Sequence, residues 1–142
     1  VSVAAESAVR AWVNALPITG PGNPLSRGAY LHEQRSPADG AYAVLSRTSE
    51  GVTNVVAEND GALSIARMQC LVYAGTEPAA ELAAAALRSA IEKLAGSPQP
   101  CGTTGVTVLV TDNLLGPFLV PHYGATGEQF CFQINADFLL RQ

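Results

Sequence analysis

Two histidines and three cysteines are the residues of this sequence best suited to chemistry, and their spacing limits what they can do. An imidazole serves as a general base only with an orienting partner and a nucleophile in reach. His32 stands beside Glu33 in an apparent strand and reads as an ordinary surface histidine. His122, in Pro121-His122-Tyr123, follows Asp112 and is open to an Asp–His pair. One functional reading is therefore a small α+β enzyme using His122 with Asp112 or Arg35. Against it, no serine or cysteine stands in a nucleophile-elbow context, which favours a structural role for His122. Cys70, Cys101 and Cys131 are widely spaced and odd in number, without a Cys-x-x-Cys pair or a Cys/His cluster, so no zinc site is expected. Cys70 and Cys131 fall in apparent strands and are expected to be buried; Cys101 falls in a loop and is placed for exposure. The set fits folding in a reducing cytoplasm.

The remaining candidates are weaker. Glu77 and Glu81 sit one helical turn apart, a metal-site spacing, but lack histidine partners and suit the positive end of a helix. Gly102-Thr103-Thr104-Gly105 has no following lysine and matches neither phosphate-loop pattern, so it reads as a flexible loop. No catalytic, cofactor-binding or metal-ligating set emerges, and the chain is not expected to be an enzyme.

The elements that would position these residues follow from periodicity. Ala5, Val9, Trp12, Val13 and Leu16 recur at helical spacing from Val3 to Leu16, with Ser2 as N-cap and Pro17 as the stop. Trp12 reads as a core anchor. Thr19 to Ser26 is rich in Gly and Pro and reads as a surface loop without a packed core. Strands over 29–34 and 41–48 flank Ser36-Pro37-Ala38-Asp39-Gly40, which spells a hairpin turn. Val52–Ala57 is a short candidate edge strand. From Leu63 to Ala74, Ala66, Met68, Cys70 and Val72 share one face, opposite Arg67 and Gln69. Thr76 caps a helix over 77–95 whose stripe is Ala79, Leu82, Ala83, Ala86, Leu87, Ala90, Ile91 and Leu94. Ser97 to Gly105 is a second flexible segment. A strand at Val106–Thr111 is followed by a turn at Asp112-Asn113-Leu114-Leu115-Gly116-Pro117, then an irregular stretch. The last strand, Gln129–Leu140, alternates cleanly. The expected fold is a single α+β domain over residues 1–142. Its element order is α-β-β-β-α-β-β, with one mostly antiparallel or mixed sheet against two helices.

A length of 142 residues suits one domain with a self-sufficient core. Only 14% of residues are charged and the net charge is −4, with eight Lys and Arg scattered along the chain. That excludes a basic face written in sequence, so sequence-specific nucleic-acid binding is not expected. The apolar run from Ala79 to Leu94 carries Glu81, Arg88, Glu92 and Lys93, which rules it out as a membrane span. The first residues lack a basic region followed by an apolar run, so they do not read as a secretory signal. A low charge suits either an alanine-rich surface or extensive subunit contact.

Several local features together resemble the tail terminator (tail completion) proteins of long-tailed bacteriophages, especially those of actinobacteria. They are Arg35-Ser36-Pro37 leading to Gly40-Ala41-Tyr42, then Ala66-Arg67 opening a central strand, and Ala74-Gly75-Thr76 entering an alanine-rich helix. Asp112-Asn113 with Gly116-Pro117 and the alternating last strand complete the set. The resemblance implies a virion subunit that forms a ring, expected to be a hexamer, at the head-proximal end of the tail tube. Such a ring ends tube polymerisation, offers a surface to the neck, and needs a heterologous interface. The implied partners are other copies of the chain, the tail tube protein and the neck or head completion proteins. DNA would pass through the ring, no membrane is involved, and assembly takes place in the host cytoplasm. No cofactor is implied. The residues expected at the subunit or tube contacts are Arg35, Ser36, Pro37, Tyr42, Arg67, Asp112, Asn113, Gly116 and Pro117. A head completion or tube subunit is the neighbouring alternative.

Overall fold

The computed structural model describes residues 4–32, 40–48, 53–56, 62–94, 97–120 and 129–141. Helix α1 spans Ala5–Asn14 and buries Ala5, Ala8, Val9, Trp12 and Val13, the one-sided stripe expected of a helix laid on a sheet. Ala4 occupies its N-cap without a side-chain bond; Ser2, the expected cap, lies outside the described residues. Trp12 is fully buried, tilts against Phe138 at a ring separation of 5.8 Å, and donates its indole N–H to Gln99 Oε1 at 2.9 Å. The anchor's polar atom is thus satisfied, as a buried indole requires.

The loop after α1 departs from expectation. Leu25 is wholly buried in the core, and the loop closes on itself through Leu25 N–H to Ile18 O at 3.0 Å and Gly20 N–H to Ser26 O at 3.1 Å. One leucine among Gly, Pro and Asn suffices to pin it.

The expected hairpin is corrected as well. Strand β1 (Ala29–Leu31) pairs with β2 (Tyr42–Arg47) in parallel, Ala29 with Ala43 through Leu31 with Leu45. In a hairpin the partner numbers would sum to a constant; here their difference is constant. His32, at φ 58°, turns the chain out of the strand after three residues, and Gly40 and Ala41 return beside Arg27, whose N–H donates to Ala41 O at 3.0 Å. The Pro-Asp turn itself lies outside the described residues.

Strand β3 (Thr53–Val56) pairs antiparallel with the start of β4 (Ala62–Ala74), the candidate edge strand of the sequence. Helix α2 (Glu77–Glu92) is capped by Thr76, whose hydroxyl accepts the Ala79 N–H at 3.3 Å. Its buried face is Ala80, Ala83, Ala84, Leu87 and Ile91, with Leu94 buried just past its end, and Leu82 is 61% exposed. The helix is therefore rotated from the expected stripe. Alanine fills most positions from 79 to 86, so hydropathy alone does not choose between adjacent stripes.

Strand β5 is Gln99–Pro100, β6 is Thr107–Val120 and β7 is Phe130–Arg141. β6 runs straight through the expected turn. Asp112-Asn113 and Gly116-Pro117 are absorbed as irregularities between Asp112/Leu115 and Leu115/Phe118, with Asn113 at φ 52° and Gly116 at φ 98°. The sheet order is β1-β2-β4-β7-β6-β5, with β3 on β4. All pairs but β1–β2 are antiparallel, so the α+β class and mixed sheet are as expected, with short β3 and β5 added. Both helices pack on the face made by Ala66, Met68, Cys70, Val72, Ile134, Ala136, Phe138 and Leu140. Each fully buried large side chain there contributes about 1.5–3 kcal/mol.

Candidate functional site

Because side chains alternate along a strand, the other face of the sheet belongs to the intervening residues. Register places them in rows. One row is Tyr42, Tyr73, Cys131 and Val120; the next is Val44, Leu71, Gln133 and Phe118. Then come Ser46, Gln69, Asn135 and Leu115, and beyond them Arg67 with Asp137. The face thus grades from an apolar end to a polar one.

At the apolar end Tyr42 is fully buried, stacked on Tyr73 at 5.3 Å and edge-on to Tyr30 at 6.0 Å. The Arg27 guanidinium lies 5.1 Å from the Tyr42 ring centre, and the Tyr42 hydroxyl donates to Gln129 Oε1 at 2.8 Å. Tyr42, expected at a subunit contact, is buried, with Tyr30 and Arg27 packed against its ring.

At the polar end Asp137 is buried, and its carboxylate accepts Arg67 Nε at 3.0 Å, Arg67 Nη2 at 3.4 Å and Asn113 Nδ2 at 2.8 Å. Burial acts to raise its pKa, but the Arg67 and Asn113 hydrogen bonds and the Arg67 charge outweigh it and hold the carboxyl below its ordinary value. Two residues flagged in the sequence, Arg67 and Asn113, are thus joined through a third that was not. Between this pair and Leu115 lies an open groove of about 600 Å³, floored by Gln69, Gln133 and Asn135. That volume is within the range of ligand-sized clefts.

The other expected residues divide. Asp112 is exposed, and its carboxylate accepts the neighbouring Asn113 N–H at 2.8 Å. Gly116 and Pro117 are half-buried in β6, and Arg88 of α2 donates to Gly116 O. Arg35, Ser36, Pro37 and His122 lie outside the described residues, and so does any Asp112–His122 pair. His32 is exposed at the end of β1. Cys101 is buried, contrary to expectation, as are Cys70 and Cys131. Burial pushes the thiols of Cys70 and Cys131 up to about 12 and that of Cys101 up to about 11. They are protonated at neutral pH and unsuited to nucleophilic attack. Among the described residues no three of His, Cys, Asp and Glu gather into a metal-binding group, and no helix is long and apolar enough to cross a membrane.

The two sides of the sheet end differently. On β1, the Asn14 side chain takes both outward groups of Ala29, accepting its N–H at 2.7 Å and donating to its carbonyl at 3.3 Å. Among the described residues β6 is paired on its outer side only at Thr107 and Val108, and it carries Leu115, Phe118 and Leu119 at 55, 54 and 48% exposure. Sequence reading passed over them because it placed 112–120 in a turn and an irregular stretch.

No family model matches the chain, and no curated protein matches it. Among solved structures, a chain from one described as "Virion of native gene transfer agent (GTA) particle" is 18% identical. The match covers 84% of this chain and 82% of that one, at a TM-score of 0.47. Folds are shared by proteins of unrelated function, and likeness of that degree says nothing of this chain's role.

Proposed function

We propose that this chain is a structural virion subunit, a tail terminator that closes with other copies into a ring, of six by family likeness, at the head-proximal end of a phage tail tube. The observation that carries this reading is the outer strand β6, with Leu115, Phe118 and Leu119 exposed along it. Such a surface loses free energy to water unless a partner covers it, at about 25 cal/mol per Å² of apolar area. A ring supplies that cover when one patch meets a different patch on the next copy and the rotation closes. The chain then acts through its surfaces, with the tail tube protein below, the neck proteins above and DNA passing through the opening. The sequence features that resemble tail terminators supply the identity of those partners.

The test is native mass spectrometry of the purified chain, alone and with polymerising tail tube protein. A closed oligomer, and tubes whose growth stops when the chain is added, are expected. Monomer under both conditions, with tube growth unaffected, refutes the reading.

A further inference from the structure

We infer that the groove on the open face of the sheet binds an extended, uncharged segment of polypeptide through its main chain. The floor of the groove is made of side-chain amides. Gln133 Nε2 donates to Asn135 Oδ1 at 3.2 Å, which leaves Gln133 Oε1 and Asn135 Nδ2 without a hydrogen-bond partner among the described residues. Gln69, across from Asn135 in the register, makes no side-chain hydrogen bond among the described residues. All three are half-buried. Their unpartnered atoms still reach solvent, and a ligand that matches them takes the place of water there.

Their chemistry is that of a peptide unit. A carboxamide offers one donor edge and one acceptor edge, the complement of a residue's C=O and N–H. This molecule already uses that match where Asn14 grips both main-chain groups of Ala29. Gln133 and Asn135 are two residues apart on β7, about 6.6 Å along a strand. An extended chain laid along β7 repeats its outward N–H and C=O groups at the same interval. Leu115 and Phe118, register partners of Asn135 and Gln133, stand beside the amides as apolar seats for alternate side chains of the segment. Among the described residues that line the groove, the charged ones are Arg67 and Asp137, which pair with each other. A charged segment finds no unpaired counter-ion among them, so the groove favours an uncharged one. It is complete within one copy, so binding does not depend on ring closure.

The probe is a capped octapeptide of alternating serine and valine, titrated into the isotope-labelled chain while the side-chain NH₂ resonances of Gln69, Gln133 and Asn135 are followed. Saturable shifts of those resonances are expected, absent with the backbone N-methylated peptide. The double variant Gln69→Met/Asn135→Leu, shown to be folded by its thermal transition, should bind at least tenfold more weakly. If it does not fold, Gln133→Met alone should weaken binding at least threefold. Equal shifts from the N-methylated peptide, unchanged affinity in the folded variant, or shifts from maltohexaose alone would each overturn the inference.

Discussion

At the scale of single residues, three environments make measurable claims. Gly116 lies at φ 98°, and a Cβ there would meet the main-chain oxygen of Gln133 on the neighbouring strand. Gly116→Ala should therefore cost roughly 1–3 kcal/mol, read as a lower urea midpoint with unchanged slope. Asp137 owes its lowered pKa to partners that exist only in the folded chain. Its contribution is complete above the ordinary carboxylate value of 3.8 and is lost as pH falls through the lowered one. Asp137→Asn should thus narrow its stability gap from the parent as pH drops below that value, in parallel urea titrations. Arg67 is 45% exposed, so solvent screening keeps the gap at pH 7 near or below about 1 kcal/mol. The thiols run the other way. With folded values of about 11 to 12 against an ordinary 9.0, they favour the folded state below pH 9 and cease to do so as pH climbs through the folded values. At pH 8, Ellman's reagent should label the native chain far more slowly than the urea-unfolded one.

At the scale of elements, Asn14 makes a helix residue serve as the closing partner of a strand. Asn14→Leu leaves Ala29 N–H and O unmatched and should cost about 1–3 kcal/mol, with faster hydrogen exchange at the Ala29 amide. Leu82→Lys should change stability by no more than about 0.5 kcal/mol, since Leu82 is 61% exposed on α2. That second expectation corrects the sequence reading, which counted Leu82 with the core stripe. Alternation in β4 and β7, and the Thr76 cap of α2, were legible because they depend on near neighbours along the chain. The pairing of β1 was not. Ser36-Pro37-Ala38-Asp39-Gly40 has the composition of a hairpin turn, and nothing local says that the chain will recross to lie parallel. Asp112-Asn113 and Gly116-Pro117 misled for a related reason: residues that tolerate positive φ serve bulges as well as turns. A partner strand decides which, and that partner, β7, lies beyond them in sequence.

At the scale of the whole molecule, the same dependence on register explains what was hidden in the site. Arg67 and Asn113 were named from sequence, but their meeting at Asp137 requires knowing that β7 lies between β4 and β6. If β6 is the assembly surface, Leu115→Ser/Phe118→Ser should reduce the closed oligomer at least tenfold while leaving the thermal midpoint of the monomer nearly unchanged, because both side chains are more than half exposed. Sedimentation velocity measures the first and a melting curve the second. A last consequence comes from the enclosure of Cys70, Cys101 and Cys131 within the fold. A free thiol usually ties a protein to the compartment that keeps it reduced, because oxidants or a second thiol reach it elsewhere. Here all three sulfurs are shielded in the native state. A chain built in reducing surroundings can therefore pass into oxidising ones and remain there with its covalent structure unchanged, so its cysteine count is no marker of where it resides.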